Sequence, residues 1–165
     1  MLPLLRLLLT TTPRIRHEVR VAAPPAAVWD VVSRPASWSA LEPFCGGVER
    51  APGQVAPGQH LVAVGRPLRL RVPVDVEDVD PEERLGVTVR LLPGLGHRLE
   101  HRLLPSATGG TRLIVEAQPE GVFARALALP LWAATAVGAR MVARAATAAY
   151  RETGRPGAGG NPSLP

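Results

Sequence analysis

Apolar and polar positions alternate along most of this chain, and a long stretch of helical period occurs only near its end. From Arg14 to Val21, Ile15, His17, Val19 and Val21 fall on one face and Arg14, Arg16, Glu18 and Arg20 on the other. That is the pattern of a half-buried strand. Ala22-Ala23-Pro24-Pro25 interrupts it, and proline is tolerated in the first turn of a helix. Pro25 to Val32 therefore predicts a short helix with Val28, Val31 and Val32 on its buried side. A second short helix or turn follows Pro35, carrying Trp38 and Leu41, and the segment closes in a loop from Glu42 to Gly47.

Strands separated by Gly and Pro come next. A short one is predicted at Val48–Arg50 and another at Gln59–Val64, with the loop APGQVAPG between them. In Leu68–Val76 the residues Leu68, Leu70, Val72, Val74 and Val76 share a face, opposed by Arg69, Arg71, Asp75 and Glu77. After the turn at Asp80–Glu83, the strand Arg84–Leu91 turns Leu85, Val87, Val89 and Leu91 inward. His97–Leu104 has the inner set His97, Leu99, His101 and Leu103, and Thr111–Gln118 the set Leu113, Val115 and Ala117. His60 also lies in a strand, with its facing ambiguous.

From Val122 to Glu152 the spacing becomes helical. Arg140, Arg144, Thr147 and Arg151 form one polar stripe; Leu131, Ala134, Gly138, Met141, Val142, Ala145 and Ala149 lie opposite. Every long strand has one apolar face, which is the signature of an antiparallel sheet covered on one side. Short connections suit hairpins rather than crossovers. The fold class is α+β: a strand, two short helices, an antiparallel run, and a long final helix laid across the sheet.

Composition changes this picture little. With 46% apolar and 20% charged residues, 165 residues suffice for one globular domain with a real core. The net charge is +5, yet all 19 basic residues are arginines interleaved with Asp and Glu, and aromatics total 4%. The clustered basic footprint of a nucleic-acid binder is missing. The acidic run from Asp75 to Glu83 is expected in solvent, facing Arg69 and Arg71, and Glu100 and Glu116 also point outward. The single cysteine, Cys45, excludes an internal disulfide and has no local base, so it is expected to be a small core residue. MLPLLRLLLT lacks the order of a signal peptide, and the apolar run Ala126–Ala139 is shorter than the ~20 residues a bilayer needs. The expected organisation is a leader at 1–13, a domain at 14–152 and a disordered Gly/Pro-rich tail at 153–165, in a cytoplasmic protein with no stable membrane insertion.

The order of these pieces resembles the START-like, or SRPBCC, superfamily, including its polyketide cyclase/dehydrase and lipid-transport families. The resemblance rests on VAAPPAAVWDVV after the first strand, Trp38 in the next turn, VEDVDPEERL in mid-sheet and HRLEHRLLPSATGGTRL near the end. It spans Arg14 to Glu152. It implies a helix-grip fold, in which a curved sheet and the C-terminal helix enclose a cavity for a hydrophobic ligand. In that fold the first strand lies beside the last, and Trp29, Gly109, Gly110 and Thr111 serve packing and turns. WSALEPFC and GGVER also resemble the coenzyme Q-binding members, too weakly to carry over a ligand. No family catalytic motif is recognisable, so no catalytic residue is transferred, and no cofactor or metal is implied.

Candidate chemistry therefore rests on the histidines. His17, His97 and His101 fall on the apolar face, where a polar ring needs a partner. Three roles stay open: a core residue bonded to backbone, a contact that orients a ligand, or a metal ligand, for which no Cys or carboxylate completes the set. His17 and His101 are expected to face one interior, near Val115 or Ala117. The cavity lining is expected from His17, Val72, Val74, Val87, Val89, Leu99, His101, Leu113, Val115, Ala134, Gly138 and Met141. Two functions follow: binding of a small lipid- or polyketide-like molecule without catalysis, or a polyketide aromatase/cyclase or dehydratase in which His101 or His17 moves protons within the same cavity.

Overall fold

A computed structural model describes residues 13–154, so residues 1–12 of the expected leader and 155–165 of the expected tail lie outside the described residues, while Thr153, expected to begin the tail, ends the long helix and Gly154 caps it. Seven strands form one antiparallel sheet in the order β1-β7-β6-β5-β4-β3-β2. They are β1 (Ile15–Val21), β2 (Cys45–Val48), β3 (His60–Gly65), β4 (Leu70–Asp80), β5 (Arg84–Leu92), β6 (Leu95–Pro105) and β7 (Thr111–Gly121). After β1 the chain crosses to the far edge through α1 (Pro25–Val32), a 3-10 turn (Pro35–Ser37) and α2 (Trp38–Leu41). It then returns strand by strand to pair β7 with β1. The long helix α3 (Ala124–Thr153) closes the inner face. This is the helix-grip architecture.

Strand parity places the core. Val28, Trp29 and Val32 of α1 join Val74, Val76, Leu85, Val87, Leu99, Leu103, Leu113 and Val115 in one buried cluster. Two differences from the alternation have local causes. β4 runs four residues past Val76 because a register shift between Val76 and Asp78 inverts the parity, returning Val79 to the inner side opposite Leu85. β2 begins at Cys45, inside the expected loop, since Gly46 and Gly47 carry no side chains to alternate and only the pairing with β3 defines it. Leu68 sits in the turn before β4, exposed rather than inward.

The outer face carries an ion-pair lattice. The acidic residues of β4 do not pair with Arg69 and Arg71: Asp75 meets Arg90 and His60, both at 2.7 Å, Asp80 meets Arg84 at 2.9 Å, and Glu77 meets Arg98 at 3.2 Å. Arg71 reaches Glu49 instead, at 2.7 Å. His60 thus faces outward, and its bond, with Arg90 behind it, holds the Asp75 carboxyl below its usual range. Such exposed pairs contribute little each, but they leave the inner face as the only dry one.

The turn GGTRL joins the two halves of the sheet. A Cβ on Gly110 would stand 2.4 Å from the carbonyl oxygen of Val21, and Thr111 Oγ1 donates to the Ala23 carbonyl at 2.7 Å. The buried stripe of α3 is Leu131, Ala134, Thr135, Gly138, Ala139, Val142 and Ala146. Met141 and Ala145 are half-buried on its flank, and Ala149 is exposed, so the stripe is narrower than the apolar pattern suggests. α3 is long and apolar enough to span a bilayer by length and composition, yet this stripe packs on β1 and β7 as the core helix of the domain.

Val142→Arg would bury an unpaired charge and should cost about 3 kcal/mol or more. Arg144→Ala, on the exposed stripe, should stay within about 0.5 kcal/mol, both measured by urea unfolding. Gly110→Ala should lower stability by about 1–3 kcal/mol, because the obstructing atom is backbone; an unchanged unfolding midpoint would contradict this close approach.

Candidate functional site

α3 lies against β1 and β7 and barely touches β6. Over β6, β5, β4 and β3 the helix no longer covers the sheet, and a cavity of about 380 Å³ opens there. α2 and the start of β2 form its far wall through Trp38, Leu41, Glu42 and Cys45; α3 supplies Leu127, Pro130, Leu131, Ala134, Thr135 and Val142. The volume is within the range of small-molecule sites, ~300–1,000 Å³. At the mouth, Phe44, Leu68 and Leu70 are exposed apolar side chains, with Arg66 beside them.

Seven of the expected residues line this space: Val72, Val74, Val87, Val89, Leu99, His101 and Ala134. Val72 and Ala134 are buried yet stand apart from the main core cluster, as residues facing a void do. The other five do not line it. Leu113 and Val115 are on β7, directly under α3, where small helix residues close the gap. Met141 packs on the flank of the core. Gly138 faces the Glu42 carboxyl, whose Oε1 is 3.1 Å from where a Cβ would sit.

His17 is the fifth. The register sets His17 opposite Val115 and Val115 opposite His101, so both rings are on the helix side of adjacent strands. They do not share the cavity, because α3 stands over β1. His17 Nε2 donates to the Trp132 carbonyl at 3.1 Å, and its ring lies 5.5 Å from the Trp132 ring. It tethers the helix to the edge strand.

His97 and His101 carry the polarity of the sheet wall. Both line the cavity, and neither Nδ1 has a hydrogen-bond partner among the described residues. Burial pushes each ring down to about 4, so both are neutral near pH 7. Glu42 was hidden by its loop-like context, EPFCGG. Its i+4 spacing from Trp38 could have revealed its side, because helical geometry sets the two on one face. Burial pushes its carboxyl up to about 7. Cys45 is half-buried with Sγ 3.5 Å from the Gly47 carbonyl, and burial raises its thiol, which suits a packing residue rather than a nucleophile. No group of three His, Cys, Asp or Glu able to hold a metal ion occurs among the described residues.

These shifts have opposite pH signatures. Each histidine stays unprotonated in the fold down to about 4 against an ordinary 6.5, so the unfolded chain binds more protons in that window. Stability should fall as pH drops from 6.5 toward 4. Glu42 keeps its proton in the fold up to about 7 against an ordinary 4.5, so its contribution is complete below 4.5 and lost as pH rises through 7. In urea titrations across pH, His101→Leu should flatten the acid limb and Glu42→Gln the neutral one; an unaltered profile in both would contradict the burial of these groups.

Comparison with known proteins places this geometry. The family described as polyketide cyclase / dehydrase and lipid transport matches residues 12–153. Comparison with curated protein sequences returns no match. Among solved structures, DynU16, from the dynemicin biosynthetic locus, is 23% identical with a TM-score of 0.61 over 87% of this chain and 48% of that one. The chain thus spans about half the length of DynU16. Norcoclaurine synthase from Thalictrum flavum, in complex with dopamine and hydroxybenzaldehyde, is 20% identical with a TM-score of 0.61, over 83% of this chain and 87% of its own. A START superfamily protein from Mycobacterium smegmatis is 13% identical with a TM-score of 0.58, over 85% and 98%. At these identities the structures attest the fold alone. With the family matched over residues 12–153 and the helix-grip fold in place, this chain belongs to the polyketide cyclase/dehydrase and lipid transport family.

Proposed function

We propose that this protein binds a small hydrophobic molecule, lipid- or polyketide-like, in the cavity between the sheet and α3, without transforming it. The observation that carries this reading is the cavity itself: about 380 Å³, walled by aliphatic side chains and entered past an exposed apolar rim. A void of this size forfeits packing that a ligand would restore. Val72, Val74, Val87, Val89, Leu99 and Ala134 are its apolar contacts, and His101 orients the ligand. His17, Leu113, Val115, Gly138 and Met141 support the walls from behind. The reading is of a cytoplasmic protein whose partner is the small molecule, with no nucleic acid and no stable membrane insertion involved; an unpaired thiol at Cys45 suits that compartment.

A second reading draws on Glu42. A carboxyl held at about 7 is suited to give and take protons near neutrality. In a cyclase or dehydratase, the same cavity would fold a reactive polyketone, and Glu42 or His101 would move its protons. Holding the chain in a productive conformation would supply much of the acceleration.

An uncharged fluorescent probe, N-phenyl-1-naphthylamine, should bind saturably with one site per chain. Val89→Phe, which fills the cavity, should weaken it by at least ~10-fold, about 1.4 kcal/mol, with little change in melting temperature. Absence of saturable binding to the folded protein would overturn the binding reading. For the enzymatic one, a poly-β-ketone thioester should give a product distribution that Glu42→Gln abolishes while probe binding persists; products identical to the uncatalysed set would exclude it.

A further inference from the structure

We infer that the cavity selects an uncharged, elongated apolar molecule with two hydrogen-bonding oxygens, carbonyl or hydroxyl, one meeting His97 and the other His101. This rests on the binding reading above and names the chemical class of the ligand. The two rings are on one strand and one face, with Leu99 between them, and all three line the cavity. Four residues of extended chain separate their backbones by ~13 Å. The sheet wall of the cavity is thus apolar in the middle and polar toward both ends.

Neither Nδ1 has a partner, although buried polar atoms almost always have one. His17, on the same side of the sheet, shows the contrast: its ring nitrogen is satisfied by the Trp132 carbonyl. A neutral imidazole presents one donor and one acceptor, so a ketone or a hydroxyl can satisfy either ring. Burial keeps both rings uncharged near pH 7, so they offer no counter-charge to an anion. Glu42 on the opposite wall adds a carboxyl that disfavours a second one nearby. The cation lining the cavity is Arg66, at the mouth, with its stem beside Gly46. A fatty acid could place its head there only by leaving both histidines unpartnered.

Calorimetric titration at pH 8 with four chains of equal length separates these cases: tetradecane, 2-tetradecanone, 2,13-tetradecanedione and tetradecanoic acid. The dione should bind roughly 10-fold tighter than the monoketone, the share of one good hydrogen bond, and tighter still than the acid. His97→Leu and His101→Leu should each bring the dione to the level of the monoketone, and the double variant should erase its advantage over tetradecane. Melting temperatures of the unliganded variants should not fall, because each substitution removes an unpartnered polar atom. If tetradecanoic acid matches or exceeds the dione, or the dione equals the monoketone, the two-oxygen inference is overturned while the binding reading stands. If N-phenyl-1-naphthylamine and all four chains fail to bind, the binding reading itself falls, and this inference with it.

Discussion

The contact between the small-residue stripe of α3 and the strands β1 and β7 is the constraint on which the rest depends. Small residues on the buried stripe, Ala139 and Ala146 among them, allow the helix backbone close to the sheet, and Leu113, Val115 and Ala117 fill the seam with little exposure. His17 adds a polar tether from the edge strand to the Trp132 carbonyl. Because the helix is seated at that end of a seven-stranded sheet, it cannot also cover the other end. The uncovered face over β3 to β6 must be roofed by something else, and α2 with the segment into β2 does so only in part. The cavity is the geometric remainder of a helix too narrow for its sheet.

Roofing the cavity with a short helix and a loop also explains where its polarity comes from. Glu42 ends α2 and folds its carboxyl against Gly138, the position on the buried stripe where no side chain intervenes. One glycine therefore admits a carboxyl to the cavity wall. Across from it, β6 contributes His97 and His101 through simple alternation, with an aliphatic residue between them. Two walls of different origin thus bring three titratable groups to one apolar space. Burial keeps both histidines uncharged at physiological pH and raises the Glu42 carboxyl to about 7. Such a lining offers shape and hydrogen-bonding groups in an otherwise apolar space.

The sequence by itself determined the elements and their faces. One-sided alternation in Arg84–Leu91, His97–Leu104 and Thr111–Gln118 was enough for an antiparallel sheet with a single dry face, since a strand's side chains alternate without exception unless a bulge intervenes. The same alternation put His17, His97 and His101 on the helix side. Helical spacing from Val122 to Glu152 identified the covering helix. Where the pattern failed, the cause was local: the bulge at Val76–Asp78 inverted the parity, and Gly46 and Gly47 left nothing to read.

Only the tertiary structure decided which inward residues line a cavity and which meet the helix. His17 and His101 have the same parity and flank the same Val115, yet one bonds to α3 and the other faces the cavity. The difference is where α3 comes to rest across the sheet, a quantity set by packing between elements distant in sequence. Glu42 was legible only as to its side, through its i+4 spacing from Trp38. Its burial depends on Gly138, nearly a hundred residues away, and no local period records that approach. Periodicity reports the side of an element on which a residue stands, whereas a cavity is defined by what the neighbouring elements leave unfilled.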